Sequence, residues 1–153
     1  MFKITLMVTM VLAGLVINVP FAHSHCQVPC GIYGDGARVK QMLEDHRTIV
    51  KAVASIKALN QKKDLKSKHQ LIRWVITKEQ HAERIIRTVS DYFMAQKIKP
   101  PNKGSDHSSY LKILAKHHAV MVAAMNCKQN NSKYENAALL KAIMAIKPHW
   151  TSK

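Results

Sequence analysis

Residues 37–60 read ARVKQMLEDHRTIVKAVASIKALN, and the spacing of their apolar side chains decides the fold. Val39, Met42, Leu43, His46, Ile49, Val50, Val53, Ile56 and Leu59 recur at steps of three and four. That spacing lays one apolar stripe along a helix, predicted here over Ala37 to Asn60 after a flexible GDG turn. Such a stripe needs other elements to cover it.

Those elements follow along the chain. A second helix is predicted from Asp64 to Ala95, carrying Leu65, Ile72, Val75, Ile76, Ile85, Ile86, Val89, Tyr92 and Phe93. The linker KIKPPNKGSD then stops it, because its prolines cannot continue a helix. A third is predicted from Ser108 to Cys127, with Tyr110, Leu111, Leu114, His118, Met121 and Met125 facing inward. The fourth opens on SKYE, a capping box of Ser132 and Glu135, and is expected to end before Pro148. No segment reads as a strand or as an alternation of strands and helices. Four amphipathic helices with short connections imply an all-α, antiparallel four-helix bundle over residues 34–153.

Much of the polar and sulfur content reads as ordinary bundle material. The eight Met fall on the Leu/Ile stripes or in the leader, so they read as core. KKDLKSKH at 62–69 reads as a solvated basic face. His46, His69, His81, His107, His117, His118 and His149 read as structural or solvent-facing, and KHH at 116–118 puts neighbouring histidines on different faces. The formal net charge of +15 attracts anions of any size, from nucleic acid and lipid head groups to small substrates. No basic motif interleaved with aromatics supports a nucleic-acid partner.

The N-terminus is built differently. Lys3 precedes an apolar run from Ile4 to Val19, and Ala22-His23-Ser24 offers small residues where a signal peptidase reads. Residues 1–24 are therefore expected to be a removed secretory signal, giving an exported, periplasmic or secreted protein with no membrane contact after removal. Cleavage after Ser24 makes His25 the first residue, with a free α-amine.

HCQVPCGIY follows at 25–33. A Cys26–Cys30 disulfide would close so short a loop that it would be a weak staple. The C-x₃-C spacing is neither a thioredoxin-like redox centre nor a haem attachment site, and that points to metal. The His25 α-amine, the Cys26 backbone nitrogen and the Cys26 thiolate can form two fused chelate rings, which Cys30 closes with a fourth donor. The His25 imidazole can sit above that plane. Planar N₂S₂ coordination suits Ni(II) or Cu(II) better than zinc, and its strong donors bring a one-electron nickel couple within reach. Cys127, alone in AAMNCKQNN, reads as a small buried thiol.

With its processing site, HCQVPCGIY resembles the N-terminal hook of the nickel-containing superoxide dismutase family, H-C-x-x-P-C-G-x-Y. His25, Cys26, Pro29, Cys30, Gly31 and Tyr33 fill all six fixed positions. KEQHAE, SDYF and the following PP are similar to the family's second helix and linker. The resemblance implies one nickel ion per subunit, held by His25, Cys26 and Cys30, with the His25 imidazole as axial ligand of the oxidised state. It implies Tyr33 at the open face, near the superoxide substrate, a Ni(III)/Ni(II) cycle and a homohexamer. It also implies a carboxylate and an arginine behind the axial imidazole. Here His81 stands where the arginine is expected, and Glu44, Asp45, Arg73 and His81 are the candidates for that supporting shell. Gln27 replaces an acidic residue frequent in the hook. The alternative function is an exported copper- or nickel-binding bundle without turnover.

Overall fold

A computed structural model describes residues 34–151. The predicted hook at 25–33, the predicted leader at 1–24 and the last two residues lie outside the described residues. Four helical arms make up the fold, with no strand among the described residues: α1 (Asp35–Asn60), α2 (Leu65–Arg87), α3 (Ser108–Gln129) and α4 (Lys133–Thr151). A π-helical stretch, Thr88–Lys97, prolongs α2 without a break.

Local chemistry sets the starts. Gly34 has φ +75°, a left-handed conformation that costs glycine little, and α1 begins at the next residue. Of the GDG segment, only Gly34 therefore acts as a turn; Asp35 already sits in the first helical turn, where a negative charge suits the helix dipole. Asp64 caps α2 by accepting a hydrogen bond from the Ser67 amide at 2.9 Å. Those hydrogen bonds from Ser67 hold the Asp64 carboxyl below its ordinary range. Ser132 caps α4 by accepting from the Tyr134 amide at 3.1 Å, a simple N-cap to the second helical residue in place of the expected capping-box bond to Glu135.

The helices close a ring in which each packs on its chain neighbours and α4 returns to α1. The short connections make consecutive neighbours antiparallel, the bundle that periodicity predicts. Met42 and Ile49 of α1, Ile85 and Phe93 of the second arm, Val120 of α3, and Leu139, Ile143 and Ile146 of α4 lie within 1 % of full burial. Each large apolar side chain so placed stabilises the fold by about 1.5–3 kcal/mol. Truncating one, as in Ile143→Ala, is expected to cost about 2–5 kcal/mol.

Four expectations need correction. On α1, Val50 of the predicted apolar stripe is 40 % exposed, at the edge of the buried side. On α3 the buried residues are His117, Val120, Ala123, Ala124 and Cys127, whereas Leu111, His118 and Met125 are exposed. The helix is rich in Ala, Val and Met on most of its circumference, so periodicity left its rotational phase open. On α2, Leu65, Ile72 and Ile76 face solvent rather than the core. Finally, α4 runs through Pro148 to Thr151. Proline there forfeits one helical hydrogen bond. The Trp150 ring offsets the loss, stacking 4.7 Å from that of Phe93, and its Nε1 donates to His117 Nε2 at 3.0 Å.

The end of α3 is held by a buried cation. Lys78 of α2 has a side chain only 4 % exposed. Its Nζ donates to the carbonyls of Lys128 at 2.7 Å and Asn130 at 3.1 Å, capping groups that a helix C-terminus leaves unpaired. Burial pushes the Lys78 ammonium below its ordinary pKa.

Candidate metal centre

Asp45 occupies an improbable position. It falls between Met42 and Ile49 on the buried side of α1, where an uncompensated carboxylate is costly. Two residues of α2 compensate it. His81 Nδ1 lies 2.6 Å from Asp45 Oδ1, and Arg84 Nη1 lies 3.3 Å from the same oxygen. His81 and Arg84 are three apart and so share a helix face. The imidazole is 21 % exposed and the guanidinium 49 %, so the cluster runs from the core to the surface. Asp45 Oδ2 is buried and has no hydrogen-bond partner among the described residues.

Of the four residues expected behind an axial imidazole, the bundle brings Asp45 and His81 together and leaves out the other two. Glu44 is half-exposed and lies 4.0 Å from Arg47 in a surface pair. Arg73 is exposed, two turns before His81. Arg84 was missed in the sequence, although its step of three from His81 was the signal that could have found it.

The start of α1 is also pinned. Tyr92 Oη donates to Asp35 Oδ1 at 2.7 Å, and Lys97 Nζ lies 2.9 Å from that carboxylate. Arg38 and Lys97 lie 5.3 and 5.8 Å from the Tyr92 ring centre, within reach of its negative face. The residue that directly follows the Tyr33-Gly34 junction is thereby fixed to the far end of the second arm.

The remaining donors are occupied or remote. Among the described residues no group of three or more His, Cys, Asp or Glu side chains could hold a metal. His46 Nε2 donates to the Asn136 carbonyl at 2.9 Å. His117 is committed at both nitrogens: Nδ1 donates to the Ile113 carbonyl at 2.8 Å and Nε2 accepts from Trp150. Burial pushes both histidines below their ordinary pKa. Cys127 is fully buried, with Sγ 3.7 Å from Asn136 Oδ1. Burial pushes that thiol up to about 11, far from the thiolate that a metal requires. His25, Cys26, Cys30 and Tyr33, the predicted ligands and gate, lie outside the described residues.

The architecture defines a class, the small all-α bundles whose described core holds no metal-ligating cluster of its own. A sequence profile described as nickel-containing superoxide dismutase matches residues 20–153. The chain belongs to that family, an oxidoreductase that takes superoxide as substrate and nickel as cofactor. No curated protein and no solved structure gives a significant match.

Proposed function

We propose that the chain disproportionates superoxide at a nickel ion held by its own N-terminus. The family match carries this reading, since it spans the nine residues that contain the nitrogen and sulfur donors. The His25 α-amine, the Cys26 amide nitrogen and the Cys26 and Cys30 thiolates would hold it, one nickel per subunit, and the His25 imidazole would add a further nitrogen in the oxidised state. Soft thiolates beside strong nitrogen donors fit nickel, whereas the bundle's remaining thiol is held protonated by burial. When bound, nickel would supply one-electron chemistry between Ni(III) and Ni(II): one superoxide gives up an electron and leaves as oxygen, and a second takes that electron with two protons from solvent and leaves as hydrogen peroxide.

The chain's own groups do the rest. The Tyr33 hydroxyl offers a donor to superoxide at the open face. Asp45 Oδ2 is a buried acceptor with no hydrogen-bond partner among the described residues, which supports Asp45 as the carboxylate that the family resemblance implies behind the axial imidazole. His81 and Arg84 hold the other carboxylate oxygen, so Asp45 does not turn away. In this proposal Asp45, His81 and Arg84 are positioning residues, the supporting shell that the family resemblance implies, and not ligands. The basic surface draws in a small anion, so association slows as salt rises.

Removal of residues 1–24 and export belong to the same proposal, because only a cleaved chain presents the His25 amine. A homohexamer is proposed as well. It is supported by a groove of about 580 Å³ between α3 and α4, lined with alanines, and by the exposed Val122, Met125 and Met144 on those helices.

The decisive experiment adds one alanine before His25. The amine becomes an amide, a corner of the chelate is lost, and both nickel content and turnover are expected to collapse. Native turnover by the extended protein would refute an N-terminal centre.

A further inference from the structure

Leu65, Ile72 and Ile76 are 83, 55 and 48 % exposed, although their spacing had placed them on the buried stripe of α2. Steps of seven and four put them on one line along the helix. Ser67 and Lys78, the buried residues of this half, lie on the opposite side. Lys68 flanks the line on one edge, and Lys66 and Arg73 flank it on the other, all exposed. Between Lys57 and Lys78 the sequence holds a single acid, Asp64, and its carboxylate is engaged in capping α2.

We propose that the N-terminal half of α2 docks on an anionic lipid surface. An apolar line bordered by cations is the pattern of a helix that lies in the membrane interface, with its apolar side among the upper acyl chains and its cations among the phosphates. The bundle presents that line ready folded, so binding needs no ordering of the helix. No helix among the described residues is long and apolar enough to cross a membrane, so the attachment is peripheral. This departs from the sequence-based expectation of a protein that leaves the membrane when its leader is removed.

Charge and shape select the occupant. A nucleic acid backbone would use the cations but has no use for a line of Leu and Ile, and no exposed aromatic stands among them to stack on bases. A second copy placed face to face would bring Lys66, Lys68 and Arg73 against the same cations. Anionic lipid satisfies both components.

The test is flotation of the nickel-loaded mature protein with phosphatidylcholine vesicles, with and without phosphatidylglycerol. Binding is expected only where phosphatidylglycerol is present. Ile72→Ser/Ile76→Ser removes apolar surface that lies outside the buried core cluster, so it should leave the protein folded with a melt lowered by a few degrees at most and weaken vesicle binding about tenfold or more. Lys66→Glu/Lys68→Glu should weaken it at least as much. Undiminished binding by the serine variant would overturn the proposal. So would tighter binding to duplex DNA than to the vesicles, which marks a nucleic-acid face, or a lower mass of the serine variant by light scattering, which marks a contact between copies.

Discussion

His81 Nδ1 lies 2.6 Å from Asp45 Oδ1 and ties α2 to α1 through a carboxylate that is 1 % exposed. The second oxygen of that carboxylate is buried and has no hydrogen-bond partner among the described residues. An ion pair built only for stability has no reason to leave a buried acceptor unsatisfied.

Asp45→Asn should therefore impair turnover more than folding. The amide keeps the shape, and His81 and Arg84 still reach water. Turnover is expected to fall about 10–100-fold while nickel content stays near that of the parent. Electron paramagnetic resonance of the loaded protein should show altered nitrogen splitting from the His25 ring. An unchanged spectrum with full turnover would remove Asp45 from the centre.

The three cysteines should separate cleanly. Cys26→Ser and Cys30→Ser are each expected to lose nickel and activity, because a hydroxyl is a hard, poorly ionised donor. Cys127→Ser should retain nickel, since the thiol is buried against Asn136 and stays protonated. Metal analysis of the three purified variants decides the matter.

Lys78→Met should destabilise the bundle by about 1–3 kcal/mol, because the carbonyls of Lys128 and Asn130 lose their buried donor. Urea unfolding measures it. A variant as stable as the parent would mean that water reaches those carbonyls freely.

Stability should fall on mild acidification. Burial holds His46 and His117 below the ordinary histidine value of 6.5, so the unfolded chain takes up protons first. Their contribution is present above 6.5 and is lost as pH drops from there towards their folded values. At His117 the added proton also turns Nε2 from acceptor to donor and sets it against the Trp150 N–H. Thermal melts between about pH 7 and about pH 5 should show a declining midpoint, with a shallower slope in His117→Gln.

Periodicity made the bundle legible because most of the α1 stripe is right: Val39, Met42, Ile49, Val53 and Ile56 are buried, as their spacing requires, and Val50 at the edge of the stripe is exposed. It failed on α3, where the sides differ little in polarity, and on α2, where an apolar line faces out. Spacing tells which residues share a side and not which way that side points. Asp45, His81 and Arg84 were harder still. A pair 36 residues apart depends on how α1 and α2 are rotated against each other, and that follows from the packed core. Lys78 was invisible for the same reason, since in sequence it is one more cation in a basic run.

The π-helical stretch at Thr88–Lys97 has a bearing on how this chain can change over evolutionary time. Its bonds reach back five residues, as from the Ile98 amide to the Phe93 carbonyl at 2.9 Å, so each turn stores more chain than an α-turn does. A residue deleted there can be absorbed by tightening the coil to ordinary α geometry. The same deletion in the middle of α1 would swing every later side chain by about 100° and take Val53 and Ile56 out of the core. The end of the second arm is thus a place where length is negotiable. Insertions and deletions among relatives should collect between residues 88 and 97, and spare the run from Val39 to Ile56.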